Sequence, residues 1–208
     1  MPRQKQVKIV NMVAEILQCE PRKGDFHWLN NLPQKKYFGS YYDTIFKIYM
    51  ALGGNKDVLD DLITRTKPRK LSPDAFFPEP FNFIFEFDEI QHFTEYKSRA
   101  LRLYPKKIQY GFELEKYIQY CYAYADIAIK KGPSGYRKPT KEFIFDNGRA
   151  AQRAFFDSFR DIQPTLYGLR PTVRISELEL PDNFQITDVK KILKERLRLI
   201  SIKNLVPR

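Results

Sequence analysis

The spacing of apolar residues changes period several times along the chain, and each change marks an expected element. Val7, Ile9, Val10, Val13, Ile16 and Leu17 fall at helical intervals within residues 5–19, which predicts an amphipathic helix ended by Pro21 to Gly24. Residues 25–40 carry no such period and read as an irregular loop holding His27 and Trp28, to which no chemistry is assigned. A second helix is expected from Tyr41 to Leu52, stopped by Gly53-Gly54, and a short one from Lys56 to Thr64. The period then drops to two. Residues 75–77 and 81–88 read as strands joined by the turn Pro78-Glu79-Pro80, with Phe83, Phe85 and Phe87 on one face and Ile84, Glu86 and Asp88 on the other.

Beyond the hairpin, a helix is expected from near Thr94 to Tyr104-Pro105, then a strand from Ile108 to Phe112 and a helix from Leu114 to Lys130. Gly132, Pro133, Gly135 and Pro139 make a loop, and Glu142 to Phe145 is a short strand or the approach to the next helix. That helix, capped by Asp146 or Asn147, carries Phe155, Phe156 and Phe159 as its apolar stripe. Residues 171–176 form a β-run, and a basic amphipathic helix from Asp188 to Ile202 closes the pattern with an apolar face suited to packing on the rest of the domain. Strands interspersed with helices indicate an α/β fold, a central mixed sheet flanked by helices.

Composition narrows the class. At 208 residues the chain suits a single domain over 1–204, with N-terminal helices in 5–65, a hairpin and core in 72–145 and a helical, basic part in 146–204. The last four residues, Leu205-Val206-Pro207-Arg208, look like what a cleaved thrombin tag leaves and are set aside. A formal charge of +11 favours a polyanionic partner, nucleic acid or a membrane surface. Two cysteines, Cys19 and Cys121, exclude a disulfide scaffold and a cysteine-rich zinc site. No apolar run approaches bilayer length and MPRQKQVKIV lacks the apolar stretch of a secretory leader, so a cytoplasmic location without a membrane partner is expected.

The chemistry concentrates in residues 72–93, SPDAFFPEPFNFIFEFDEIQHF, where Glu86, Asp88, Glu89, Gln91 and His92 crowd the end of an apolar strand. Buried carboxylates at that density need something cationic to meet them, although a strand simply running into water carries carboxylates too. Asp74 and Glu86 are 12 positions apart with a turn midway, so an antiparallel hairpin brings both to one ion. Hard oxygen donors of this kind suit Mg2+ or Mn2+. Asp88 shares the face of Glu86 and is a further candidate ligand or an orienter of water, and His92 is a candidate general base or acid.

Pro73-Asp74-Ala75-Phe76-Phe77, the apolar run Phe83 to Phe87, His92 and Arg99-Ala100-Leu101 together resemble the PD-(D/E)XK nuclease superfamily, with a closer likeness to its very-short-patch-repair (Vsr-like) endonuclease branch. The resemblance implies a restriction-endonuclease-like core and a Mg2+-dependent DNA endonuclease of restriction or repair type. It makes Asp74 the principal metal ligand, Glu86 the second, and His92 the catalytic histidine. The sequence departs from the motif at its lysine: Gln91 or Asp88 stands there, depending on whether Glu89 or Glu86 is taken as the acid. A degenerate, DNA-binding but inactive site is therefore the second reading, a basic interaction module whose acids are only a strand end the third, and an RNA substrate also stays open. An extra acid from an N-terminal helix, with Glu15, Glu20 and Asp43 as candidates, is also expected in such a fold.

Double-stranded DNA would be held by basic side chains. Lys67, Arg69 and Lys70 lie in a loop leading into Pro73-Asp74, Arg137 and Lys138 lie in a glycine-rich loop, and Arg149, Gln152, Arg153 and Arg160 lie on one helix. Each is equally what a solvated basic surface offers. A palindromic target would bring two copies together as a homodimer.

Overall fold

The computed structural model describes residues 2–132 and 134–202. The tag-like residues 205–208 lie outside the described residues. Four helices, α1 (Pro2–Leu17), α2 (Lys35–Phe38), α3 (Tyr42–Ala51) and α4 (Lys56–Thr64), precede the strands β1 (Ala75–Phe77) and β2 (Phe83–Asp88). Then come α5 (Glu95–Leu101), α6 (Leu114–Lys131), α7 (Gly148–Leu166), β3 (Arg170–Ser176) and α8 (Ile186–Leu199). The sheet is mixed, in the order β1-β2-β3, with β1 antiparallel and β3 parallel to β2. This is the expected α/β architecture, a small mixed sheet flanked by helices.

β2 is buried along its whole length, and the two-residue period divides it between two cores. Phe83, Phe85 and Phe87 pack with Ile9 and Val13 of α1 and with Val189 and Leu193 of α8. The C-terminal helix therefore spends its apolar face on the domain, as its pattern suggested. Ile84 faces the opposite way, into a larger core built from α3, α5, α6 and α7 that includes Ile45, Leu101, Tyr117, Phe155 and Phe159. Each of these aromatic or aliphatic side chains contributes roughly 1.5–3 kcal/mol by leaving water. The covered second face is what lets the polar end of β2 sit inside the protein rather than in solvent.

Local signals place the helices that frame this strand. Asn55 accepts from the backbone N–H of Asp57 and Val58 to start α4, and Thr94 accepts from Lys97 N to start α5. Asn147 takes the capping position of α7 with φ of 68°, but its side chain makes no cap bond.

Two expectations need correction. Ile108 to Phe112 is not a strand: Gly111 alone bridges to β3, at Val173, because the chain turns back at Pro105 to Ile108 and packs Ile108 and Phe112 into the larger core. That bridge needs glycine, since a Cβ at Gly111 would meet Thr172 O at 2.5 Å. Of the two forms open to Glu142 to Phe145, it takes the approach to the next helix, closed locally by Thr140, whose N donates to Phe143 O and whose Oγ1 accepts from Phe143 N. Within the loop read over 25–40, residues Lys35–Phe38 make the single turn α2.

Candidate functional site

The hairpin register pairs Ala75 with Phe85, so the next positions along, Asp74 and Glu86, come side by side at the mouth of the sheet. Two backbone bonds fix them. Asp74 N donates to Glu86 Oε1 at 3.3 Å, and Asp74 Oδ2 accepts from Phe87 N at 2.8 Å. Both carboxylates open into a cavity of about 310 Å³ between the hairpin and α7. Three acids line it, Asp74, Glu86 and Asp157, against five bases, Arg69, Lys70, Arg149, Arg153 and Arg160. Of the nine side chains expected to hold DNA, six (those five and Gln152) therefore share one cavity with Asp74 and Glu86, while Lys67, Arg137 and Lys138 lie outside its lining.

Burial raises the affinity of both carboxylates for a proton. Burial, with Asp74 opposite, pushes Glu86 up to about 8 despite Arg160 and Arg174. Asp74 is raised as well, by burial, against the opposing pull of the Phe87 N–H, His92 and Arg160. Arg160 places its Nε 3.2 Å from Glu86 Oε1 and donates from Nη2 to Ser72 O at 3.3 Å. Among the described residues, Asp74 Oδ1 and Glu86 Oε2 accept no hydrogen bond from the protein.

Behind the cavity lies a second acidic group with the opposite character. Asp88 takes Arg174 Nη1 on both oxygens, at 2.9 and 3.0 Å, and has His92 Nδ1 at 2.7 Å from Oδ1. Burial alone would raise it, but Arg174 and then His92 hold it well below the usual carboxylate range. Asp157 is likewise held far below that range: burial is overcome by Lys97, whose Nζ donates at 2.7 Å, then by Arg174 and His92. Arg174 Nε also donates to Asp161 at 2.7 Å, and the other Asp161 oxygen accepts from Tyr104 at 2.8 Å.

Asp157, Lys97 and Arg174 were not singled out in the sequence. Their signal was present: Arg174 interrupts the β-run PTVRIS, Asp157 stands within the phenylalanine stripe of α7, and Lys97 falls on the buried face of α5. None of Glu15, Glu20 and Asp43 lines the cavity, and the third acid comes from α7 instead.

His92 is buried and does not line the cavity. Its Nδ1 faces Asp88 and its Nε2 meets Nη2 of Arg153. Gln91 turns aside to donate to Glu89 Oε2 at 2.6 Å, so neither enters the cavity, and Glu89 is raised by burial against the pull of His92. Gln152 bridges Arg149 and Glu142.

Asp88, His92 and Asp157 each bring one ligand atom within 4.8 Å of the others, and such a group could hold a metal ion. Its acids already have Arg174 and Lys97 as counter-charges. The Asp74–Glu86 pair offers hard oxygens with free lone pairs toward the cavity. Among the described residues, no helix is long and apolar enough to cross a membrane.

Residues 47–140 match a family of unknown function (DUF7255), a stretch that carries Asp74, Glu86, Asp88, His92 and Lys97 and stops short of α7 and β3. No curated protein and no solved structure matches the chain.

Proposed function

We propose that the protein is a Mg2+-dependent (or Mn2+-dependent) endonuclease that hydrolyses phosphodiester bonds of double-stranded DNA, on a restriction-endonuclease-like core. The observation that carries this reading is the Asp74–Glu86 pair, a half-buried and a buried acid with raised proton affinity that share a mouth ringed by five cationic side chains. Bases that line a cavity of this size suit a phosphate and its sugar, and a plain solvated basic face would not converge on two carboxylates.

Asp74 and Glu86 would hold the divalent ion through the oxygens that the protein leaves free. The ion would polarise the phosphate and offset the charge that builds on it. Hydrolysis adds water to phosphorus and breaks one P–O bond, the departing oxygen leaving as a hydroxyl. Arg160, beside Glu86, offers a guanidinium to a phosphate oxygen, and Arg69, Lys70 and Arg149 meet the neighbouring phosphates. Together these four side chains supply positive charge around the phosphate.

One observation favours the second reading, a DNA-binding protein with an inactive site: Arg160 already sits 3.2 Å from Glu86 and meets part of its charge from within the chain. The two are separated by incubating the protein with supercoiled plasmid in Mg2+, Mn2+ or EDTA, with an RNA duplex in parallel. Nicked or linear DNA in Mg2+, none in EDTA and none with Asp74→Asn is the expected result. Binding without cleavage in every metal would leave the inactive scaffold, and cleavage of RNA alone would reassign the substrate.

A further inference from the structure

The departure from the nuclease motif at its lysine leaves that residue's own place on the phosphate to be filled, and the side chains behind the cavity supply an answer. His92 has a charged side chain at each ring nitrogen: Nδ1 lies 2.7 Å from Asp88 Oδ1, and Nε2 meets Arg153. A guanidinium can only donate, so Nε2 is the acceptor and the ring proton faces Asp88. Asp88 is itself clamped on both oxygens by Arg174, which is fully buried. Arg153, unlike His92, lines the cavity, and its guanidinium lies over the ring of the buried Tyr136, 5.9 Å from its centre.

We infer that His92 is a positioning residue, not a proton carrier to the substrate: the series Arg174–Asp88–His92 fixes the Arg153 fork, and Arg153 binds a non-bridging oxygen of the DNA phosphodiester in the functional place of the missing lysine. A planar fork held at one end by an imidazole and on one face by a ring is pre-set for phosphate, and little ordering is left to occur on binding. The inference deepens the nuclease reading and rests on its choice of DNA as ligand, but it does not require cleavage.

The test is a double-mutant cycle read by fluorescence anisotropy of a labelled DNA duplex in EDTA, repeated as cleavage rate at saturating DNA in Mg2+. Arg153→Ala weakens binding about tenfold, the loss of one charge-assisted hydrogen bond. His92→Asn, too short to reach Arg153, weakens it by a similar factor, and the double variant is no worse than either single one. His92→Gln, whose carboxamide oxygen can accept from Arg153 but cannot carry a proton, recovers most of what His92→Asn loses, a recovery that a purely structural role or a proton-transfer role would not give.

Losses that multiply in the double variant, or a His92→Gln protein as slow in cleavage as His92→Asn, would overturn the inference. Should His92→Asn fail to fold, Arg153→Ala still decides, because it leaves the buried ion pairs intact: wild-type affinity in that variant overturns the proposal. An intact binding cycle without cleavage would sink the nuclease reading alone, cleavage without coupling would sink this inference alone, and absence of DNA binding would sink both.

Discussion

Glu86 and Asp88 stand two residues apart on one face of one strand, both buried, and they behave as opposites. Glu86 is pushed up to about 8, whereas Asp88 is held well below the usual carboxylate range. Depth does not separate them; partners do. Asp88 has a guanidinium on both oxygens and an imidazole beside it, while Glu86 has Arg160 along one edge and a second carboxylate, Asp74, across the mouth. The fold has neutralised one carboxylate, and uses it as frame, and has left the other short of positive charge.

The largest effect should come from breaking the frame. Arg174→Met strands Asp88, Asp161 and Asp157 together in the interior, and urea unfolding should show a loss of about 3–5 kcal/mol. A loss under about 1 kcal/mol would mean that the two acidic groups are not the opposites described. The open pair should respond the other way. Glu86→Gln or Asp74→Asn should cut cleavage on the order of a hundredfold or more and leave the unfolding midpoint unchanged or higher, since each removes a repulsion. A variant that loses activity and stability together would place Glu86 in the frame.

Next in size is the dependence on pH. Glu86 has a folded value of about 8 against an ordinary 4.5, so its contribution is fully present below the ordinary value and is lost as pH rises through the folded one. Asp88 and Asp157 are lowered, so theirs is present above the ordinary carboxylate value and is lost as pH falls below it. In EDTA, the melting temperature should therefore fall by several degrees between pH 5 and 8, and Glu86→Gln should flatten that fall. A melting temperature that rises to pH 8 in EDTA would contradict the sign. The smallest effect concerns the rim. Arg69→Ala, on the cavity wall, should lower the slope of log affinity against log salt by about one, while Lys67→Ala, outside the lining, should leave cleavage unchanged.

The hairpin was readable because its signals are local. Alternation of Phe83, Phe85 and Phe87 against Ile84, Glu86 and Asp88 fixed the faces, and the position of the turn set Asp74 beside Glu86. The frame was not readable in the same way: Lys97, Asp157 and Arg174 come from α5, α7 and β3, and only tertiary packing brings them to Asp88. A charged residue inside each apolar pattern was the available clue, but such a residue does not name its partner. His92 shows the same limit, since its position after the strand suggested an open-site base, and only the side chain of Arg153, 61 residues further on, puts it behind the cavity. At Gly111 the apolar pattern misled because burial came from a turn and a single bridge, without a strand.

The central claim, that the open pair and not the buried trio takes the cation, is tested most directly by titrating Mn2+ into the protein and reading the bound ion by electron paramagnetic resonance. The wild-type chain should bind Mn2+, and binding should be lost in Glu86→Gln and in Asp74→Asn and kept in His92→Gln. Binding that survives Glu86→Gln but disappears in His92→Gln would place the ion among Asp88, His92 and Asp157 and contradict the claim.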